Sequence, residues 1–385
     1  MLYQEALQEF LPSTLKSLST EALAALDYQE ECEIKQKAFN RFWSSNRLDG
    51  TPLKIIESPL ARNYRTTSKR RVTVDRCRVI FEGSGSTSFV LEPQEHEQIF
   101  SYLNTLLAKP AFLPLAYAMN WIIIRGSYTS RVVIFNVFKM DASIVRKMKQ
   151  VVTHLQSMNV TVHGAHLYYD PTRSDYYLES FRPSDSVSLK HLFGLRDLTL
   201  HIEDIKLKYP VTGFSQINES QINNLIHSAN EFAQVSKDDT FLDLFCGYGL
   251  FSFTVGKNAK SVIGADWEGA SIEYAKASAR FLNKKETRFI AGKITSEWIE
   301  SHLPPMKNES EIQLLDPPRQ GTDPGVISSL AKRNPKRVVH VFCGTDVIPK
   351  ELTVWNSKGY KIKKIQPLDL FPGTSHIETM VLLEK

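Results

Sequence analysis

Cysteine is scarce in this 385-residue sequence, which has four such residues in total. They form no C-x-x-C pair and no other metal-ligand spacing, so the sequence supports neither a zinc site nor an iron–sulfur cluster. No run approaches the ~18 apolar residues of a membrane-spanning helix, and the opening MLYQEALQEFLPSTLKSL mixes acids with apolar residues, unlike a signal peptide. We therefore expect a cytoplasmic protein with free thiols, no bound metal and no membrane partner. The cysteines are Cys32, Cys77, Cys246 and Cys343.

Length and composition predict two domains, because 385 residues with 42% hydrophobic content can form two ordinary cores. Residues 120–140 indicate a hairpin, followed by a helix near Ala142 to Gln156 and a strand at Thr161 to Tyr169. This compact unit is part of a predicted N-terminal α+β region, residues 1–205, which we expect to recognise and bind the substrate RNA. A second domain is expected over residues 206–385. Residues 1–60 have a helical pattern and indicate no function.

The stretch FLDLFCGYGLFSF, residues 241–253, predicts a strand, a glycine turn and the start of a helix in succession. Gly247 and Gly249 provide a tight turn that leaves backbone amides exposed at a sheet edge, where a nucleotide-like ligand can be held. The next apolar run ends at Asp266, a spacing of roughly 20 residues that puts an acid beside the ribose of such a ligand. Beyond the turn, helices and strands alternate as in a doubly wound, Rossmann-like α/β sheet.

The glycine turn leaves the identity of its ligand open. A dinucleotide fingerprint has glycine or alanine at its third place, where this chain has Ser252, so NAD is disfavoured without being excluded. Asp243 at the strand end suits a ligand that carries an ammonium group, and S-adenosylmethionine is such a ligand. A turn that binds nothing is a further alternative, because glycine turns are common in parallel sheets.

A basic segment lies between residues 62 and 78, where seven arginines and lysines accompany a single acid, Asp75. Such a segment favours binding to a phosphate backbone through counterion release, and Tyr64 offers a ring on which a base can stack. The net charge of +5 points mildly in the same direction. The alternative is a solvated strand face, which is the commoner role of a charge run. The residues expected to contact RNA are Arg65, Lys69, Arg70 and Arg71 in this segment, and Arg319 in the second domain.

Three chemically active side chains are predicted to reach one edge of the C-terminal sheet. Asp316 follows the strand IQLL and opens the rigid turn DPPRQG, where Arg319 stands in a place that is aromatic in many methyltransferases acting on amines. Cys343 follows the strand RVVHVF, although a cysteine at a strand end is often only a small buried apolar residue. Glu378 lies in the last strand, where a buried carboxylate must be paired or functional.

A thiol and a carboxylate at this edge suit methylation of carbon 5 of a uracil ring. Carbon 5 is a poor nucleophile, but addition of a thiolate to carbon 6 converts the ring into an enolate whose carbon 5 can attack a sulfonium methyl group. A base then removes the proton from carbon 5, and the thiol is eliminated. In this interpretation Cys343 is the nucleophile, Glu378 is the base and Cys246 has a packing role. A uracil in folded RNA must first be swung out of its stack.

Together these motifs resemble the RNA 5-methyluridine methyltransferases, the family of the tRNA uracil-5 enzyme and its 23S rRNA relatives. The resemblance rests on FSQIN (214–218), DLFCGYGLFSF (243–253), LLDPPRQG (314–321), Cys343 and FPGTSHIETMVLL (371–383), which occur in the family's order. It implies a class I, S-adenosylmethionine-dependent RNA (uracil-5-)-methyltransferase that acts on tRNA or rRNA. It also implies that the cofactor and target pocket is lined by Gln216, Phe245, Asp266 and Asp316.

The chain departs from this family at two places. The family usually has S-C-N-P around its cysteine, whereas this chain has Phe342-Cys343-Gly344-Thr345, and YRTTSKRR (64–71) matches the family's Y-R-x-R-A element only loosely. The cysteine-rich cluster motif and the N-terminal barrel of several rRNA-modifying members are not evident. Two alternatives therefore stay open: a member that binds RNA with weak or no catalysis, and a methyltransferase with a non-RNA substrate. A monomer is expected.

Overall fold

The computed structural model describes residues 1–15, 21–82, 88–173, 188–267, 269–305 and 310–385. It divides into two compact units. The first, called the C-terminal unit here, combines Met1–Ala61 with Ser220–Lys385, and the second, the middle unit, is Arg62–Glu219. Within the described ranges, none of the helices has the length and apolar character required to cross a membrane.

The described residues form helices and strands throughout both units. The α-helices are α1 (Tyr3–Phe10), α2 (Tyr28–Ser45), α3 (Ser88–Leu91), α4 (Gln94–Leu107), α5 (Leu113–Ala116), α6 (Ala142–Gln156), α7 (Ile222–Ala233), α8 (Leu250–Thr254), α9 (Gly269–Phe281), α10 (Ser296–His302), α11 (Val326–Lys332) and α12 (Ile348–Ser357). The strands are β1 (Thr67–Asp75), β2 (Arg78–Glu82), β3 (Met119–Gly126), β4 (Arg131–Val137), β5 (Gly164–Tyr169), β6 (Ser188–Gly194), β7 (Asp197–Ile202), β8 (Ile205–Pro210), β9 (Asp239–Leu244), β10 (Ser261–Asp266), β11 (Thr287–Ala291), β12 (Ser310–Leu315), β13 (Arg337–Phe342), β14 (Lys361–Leu368) and β15 (Glu378–Glu384).

A seven-stranded sheet in the order β11-β10-β9-β12-β13-β15-β14 forms the centre of the C-terminal unit. The first five strands in this order are parallel, and β15 runs antiparallel to both of its neighbours. Because β10 lies on one side of β9 and β12 on the other, the strand order reverses at β9. Open α/β sheets hold ligands at the carboxyl ends of the strands at this point. The predicted doubly wound, Rossmann-like sheet is confirmed.

Helices cover both faces of this sheet because its central strands are apolar on both sides. All six residues of β9 are buried. Leu242 and Leu244 face a core that includes residues of α1, α2, α10, α11 and α12. Phe241 faces the opposite core, where residues of α7 and α8 pack. Packing on both faces holds β9 in place, and the position of its carboxyl end determines where the glycine turn lies.

The segment Met1–Ala61 belongs to the C-terminal unit, which differs from the division predicted near residue 205. Helix α2 begins at the Asp27 cap, whose carboxylate accepts a hydrogen bond from the amide of Gln29 at 2.9 Å. The buried face of α2 includes Phe39, Phe42 and Trp43, which lie in the same core as strands β9 and β13. The sequence does not reveal this packing because an amphipathic pattern shows which face is buried but not which element covers it.

The middle unit contains a six-stranded sheet in the order β2-β1-β3-β4-β5-β6 and a separate two-stranded sheet of β7 and β8. The predicted hairpin within residues 120–140 is confirmed as the antiparallel pair β3 and β4. The predicted helix corresponds to α6, and the predicted strand corresponds to β5, which begins three residues later than expected. Residues of α4, α5 and α6 pack in one core with this sheet.

Candidate active site

The glycine turn at the end of β9 has the backbone conformation that its sequence predicts. Gly247 and Gly249 have φ angles of 53° and 92°, in the left-handed region that favours glycine, and Phe245 has a φ of 63°. A Cβ atom at Gly249 would lie 2.7 Å from the ring of Phe253, whereas no atom of the described residues lies within 4 Å of one at Gly247. Gly247 therefore borders open space at the carboxyl edge of the sheet.

Two acids from neighbouring strands flank this turn. Asp266, the last residue of β10, accepts a hydrogen bond from the amide of Gly247 at 2.8 Å. Asp243 is fully buried, and its Oδ2 accepts a hydrogen bond from the Ser252 hydroxyl at 2.6 Å. Its Oδ1 is buried without a hydrogen-bond partner among the described residues. Burial raises the pKa of Asp243 to about 7. Ser252, which departs from the dinucleotide fingerprint, therefore has a specific partner in this site.

The sulfur of Cys343 lies between two carboxyl groups. It is 3.3 Å from Asp316 Oδ1 and 3.3 Å from Glu378 Oε1. Asp316 and Cys343 directly follow the parallel neighbours β12 and β13, so they leave the sheet at the same edge. Glu378 reaches this edge because β15 is antiparallel to β13 and begins where β13 ends, with Thr379 opposite Phe342. The structure thus brings together the three residues that the sequence assigns to one edge.

Protonation within this cluster is shifted toward the neutral forms. Burial raises the pKa of Cys343 well above its ordinary value, and Glu378 and Asp316 raise it further. Burial, followed by repulsion from Glu378, raises the pKa of Asp316 well above its ordinary value. Burial also raises the pKa of Glu378 to about 7, against the opposing effects of the Cys343 hydrogen bond and the charge of Arg319. A carboxyl group that titrates near neutral pH is suited to proton transfer.

The cluster has one further chemical capacity, since ligand atoms of Asp316, Cys343 and Glu378 all lie within 4.8 Å of one another. A thiolate and two carboxylates can hold a metal ion such as zinc. Burial and mutual repulsion favour the protonated forms, which are not metal ligands. Metal binding is therefore an alternative to be tested along with the chemistry of the thiol.

The altered sequence after Cys343 has a structural reason. A Cβ atom at Gly344 would lie 2.4 Å from the backbone oxygen of Arg319. Glycine at this position therefore lets the loop after β13 approach the turn that contains Arg319, and a larger residue would push the two apart. The exposed guanidinium of Arg319 lies over the ring of Phe371, with 5.6 Å between the guanidinium carbon and the ring centroid.

Glu351 is a supporting residue that the sequence alone does not identify. Its Oε1 accepts hydrogen bonds from the amide of Thr322 at 2.6 Å and from the Thr322 hydroxyl at 2.7 Å, which fixes the end of the DPPRQG turn. Its Oε2 lies 3.3 Å from Nε2 of His340, and Nδ1 of His340 accepts a hydrogen bond from the Trp355 indole. The only signal in the sequence is an acid on the buried face of an amphipathic helix, which does not reveal its partner.

The RNA-contacting residues predicted in the basic segment lie in the middle unit and fall into two groups. Lys69 and Arg71 are partly exposed and lie over the ring of Trp121, at 5.3 and 5.7 Å from the centroid. Arg65 is also partly exposed. Arg70 instead points to the buried side of β1, is 6% exposed and forms a bidentate ion pair with Glu92. Its placement argues against an RNA contact, because its charge is already compensated inside the unit.

Gln216 also lies in the middle unit, in the extended segment before α7. Its side chain is 8% exposed, and its backbone oxygen accepts a hydrogen bond from the Thr66 hydroxyl at 3.5 Å. Its predicted place in the cofactor pocket stays a prediction. Cys246 is buried, and a Cβ atom at Gly264 would lie 3.1 Å from its sulfur, which fits a packing role.

Comparison with known proteins identifies a family and individual relatives that are similar to this chain. The sequence profile of the family described as tRNA (Uracil-5-)-methyltransferase matches residues 186–385. A protein of Clostridium acetobutylicum described as an uncharacterized RNA methyltransferase is 31% identical over 205 residues, which are 50% of this chain and 44% of that protein. One of Enterococcus faecalis with the same description is 27% identical over 255 residues, or 66% and 51% of the two chains. The chain thus spans about half the length of these relatives.

A solved structure with a similar fold covers nearly the whole chain. The crystal structure of Pyrococcus abyssi tRNA (uracil-54, C5)-methyltransferase in complex with S-adenosyl-L-homocysteine aligns with a TM-score of 0.72. The alignment covers 95% of this chain and 85% of that one. The sequence identity is 17%, so this likeness concerns the fold. The shared fold includes the Rossmann-like sheet described above.

Proposed function

Because this chain belongs to the tRNA (uracil-5-)-methyltransferase family, we propose that it methylates carbon 5 of a uridine in structured RNA and uses S-adenosylmethionine as the methyl donor. The observation that carries this proposal is the position of the Cys343 sulfur, 3.3 Å from a carboxylate oxygen of Asp316 and 3.3 Å from one of Glu378. A nucleophile between two proton acceptors, beside a nucleotide-type glycine turn, is the arrangement that this reaction requires.

The residues around the glycine turn fit the methyl donor. S-adenosylmethionine, when bound, supplies the methyl group of its sulfonium centre. The open space at Gly247 allows the donor to approach the backbone, and Asp266 is held at the mouth of the turn where a ribose can be bound. The buried Oδ1 of Asp243 is an acceptor suited to an ammonium group. We assign the donor site to these residues and, from the family resemblance, to Gly249, Phe245, Asp316 and Gln216.

Cys343 and Glu378 have separate tasks in the proposed reaction. The Cys343 sulfur adds to carbon 6 of the uracil ring as its proton passes to the Asp316 carboxylate oxygen at 3.3 Å, so Glu378 remains available as the base of the later step. The addition makes carbon 5 nucleophilic, and carbon 5 then acquires the methyl group. Glu378 removes the remaining proton from carbon 5, the C5–C6 double bond forms again and the C6–S bond breaks. The pKa of Glu378 near 7 suits this step at neutral pH.

The middle unit supplies the proposed RNA surface. Lys69 and Arg71 present their charges beside Trp121 on the partly exposed face of β1, and Arg65 lies just before this strand. Positive charges on this face suit the phosphate backbone of RNA. Trp121 and Tyr64 are buried, so the base stacking predicted for Tyr64 is not supported. Simultaneous neutralisation of Arg65, Lys69 and Arg71 should weaken RNA binding and reduce the steepness of its salt dependence. An unchanged salt slope would favour a non-RNA substrate.

Mechanism-based trapping tests the proposed function directly. RNA that contains 5-fluorouridine should form a covalent adduct with the wild type in the presence of S-adenosylmethionine, because the fluorine at carbon 5 cannot be removed as a proton is. The adduct should be lost in Cys343→Ala and retained in Cys246→Ala, and it should be visible on a denaturing gel. A chelator should have no effect on it, whereas loss of the adduct would favour a metal site. The proposal fails if no adduct forms with tRNA or rRNA fragments, or if the adduct survives in Cys343→Ala.

A further inference from the structure

The loop between β14 and β15, residues 369–377, delivers Glu378 to the Cys343 sulfur, so its conformation sets the position of the proposed base. The loop is held from one side by α2, which lies in the segment Met1–Ala61. Lys35 lies at the centre of this contact, with its Nζ 2.7 Å from Glu31 and 2.8 Å from Asp369. All three side chains are fully buried. No step of the proposed reaction uses this ion network.

The network binds the loop at three successive places. Asp369, the first loop residue, accepts hydrogen bonds from Lys35 at 2.8 Å and from the Tyr28 hydroxyl at 3.2 Å. The backbone oxygen of Phe371 accepts a hydrogen bond from Lys35 at 3.3 Å. The amide of Gly373 donates a hydrogen bond to Glu31 at 2.6 Å. Only four residues then separate the last of these anchors from Glu378.

A buried ion network contributes little net stability to a fold. Removing charges from water costs several kcal/mol per ion, and apolar side chains of similar volume are often as stable or more stable at such places. Charged side chains add directional hydrogen bonds, which here fix the Asp369 carboxylate, the Phe371 carbonyl and the Gly373 amide of the loop. Gly373 has a φ of 80°, so its amide is held in a left-handed turn that few residues other than glycine adopt.

We propose that Glu31, Lys35 and Asp369 are positioning residues that hold the β14–β15 loop so that the Glu378 carboxylate meets carbon 5 of the target uracil. This inference rests on the proposed function and extends it to a part of the chain in which the sequence shows no functional motif. It assigns α2 to the proton-removal step and not to the attack by Cys343, since Cys343 is delivered by β13. The two steps should therefore separate when the network is removed.

Single-turnover reactions on a uridine-containing RNA measure the two steps. Formation and disappearance of the covalent intermediate are followed on denaturing gels. In Glu31→Leu, which removes the acceptor for Gly373, formation should stay within about threefold of the wild type. Disappearance should slow by on the order of tenfold to a hundredfold, the usual effect of a misplaced catalytic group. Glu31→Gln, which keeps an acceptor oxygen, should recover most of the rate of disappearance.

Two further variants control for folding and charge. Lys37→Met changes an exposed lysine on the same helix, paired at 4.0 Å with Glu33, and should behave as the wild type. The triple variant Glu31→Gln/Lys35→Met/Asp369→Asn removes all charge from the network and leaves no uncompensated ion, so it tests the proposal if Glu31→Leu does not fold. Its intermediate should also accumulate. Thermal unfolding and binding of S-adenosylmethionine verify the fold of each variant.

The outcomes distinguish this proposal from the proposed function. If the wild type forms no covalent adduct with 5-fluorouridine RNA, the proposed function fails first. If the wild type reacts and folded network variants release product at the normal rate, or lose both steps by the same factor, the positioning role is wrong. If neither Glu31→Leu nor the triple variant folds, the network is a stability element, and the proposal is also overturned.

Discussion

Replacing Glu378 with glutamine should stabilise the folded protein above neutral pH, in addition to blocking removal of the carbon 5 proton. Burial raises the pKa of Glu378 to about 7, compared with an ordinary value of 4.5. Between these pH values the folded protein keeps a proton that the unfolded chain has lost, so the free energy of unfolding of the wild type falls as the pH rises. Glutamine keeps the oxygen that faces the Cys343 sulfur and has no charge to bury.

The size of the effect follows from this pKa difference. It is about 2.5, and each unit of pKa corresponds to about 1.4 kcal/mol, so Glu378→Gln should gain roughly 3 kcal/mol above pH 7. Near pH 4 the carboxyl group is protonated in both states, and the gain should vanish. In urea, 3 kcal/mol corresponds to a rise of about 1 M in the unfolding midpoint of a unit of this size.

Urea unfolding followed by tryptophan fluorescence at several pH values measures this gain. Four of the five tryptophans lie in the C-terminal unit, namely Trp43, Trp267, Trp298 and Trp355. Glu384→Gln, at the far end of β15, is the matched control, because Glu384 forms a partly exposed ion pair with Arg337 that should contribute about 1 kcal/mol or less. The reasoning is refuted if Glu378→Gln is no more stable than the wild type at pH 8, or if it gains equally at pH 4.

Three further predictions concern the C-terminal unit. Gly264→Ala places a Cβ atom 2.4 Å from the ring of Phe289, so it should lower the free energy of unfolding by about 1 to 3 kcal/mol in urea; an unchanged midpoint would contradict the overpacking. Arg333→Met leaves the buried Glu311 without its bidentate partner and should cost about 3 to 5 kcal/mol, most of which the double variant with Glu311→Gln should recover. Burial raises the pKa of Asp243 to about 7, so Asp243→Asn should stabilise the ligand-free protein above that pH. The same variant should bind S-adenosylmethionine more weakly when affinity is measured by calorimetry. Unchanged affinity would exclude Asp243 from the donor site.

The candidate site shows which of its features can be predicted from local sequence patterns and which cannot. Asp316 and Cys343 each follow an apolar strand, and parallel strands end at one edge, so their proximity is predictable. The place of Glu378 depends on β15 running antiparallel beside β13, which the apolar pattern of a strand does not state. The pairing of Arg70 with Glu92 is equally hidden, because a basic strand does not show which of its alternate residues faces inward or which acid lies there.

The sequence by itself determined the glycine turn, the succession of helices and strands, and the candidates proposed as nucleophile and base, because these depend on residue type and on neighbours close in the chain. Only the tertiary structure decided that α2 packs beneath the β14–β15 loop, where Lys35 meets Asp369 from the other end of the chain. Burial beside Asp369 fixes the charged end of Lys35 in one position. It also places the Glu31 carboxylate where it accepts a hydrogen bond from the loop amide of Gly373. These contacts form when the two segments pack into one core, and no periodicity within either segment specifies them.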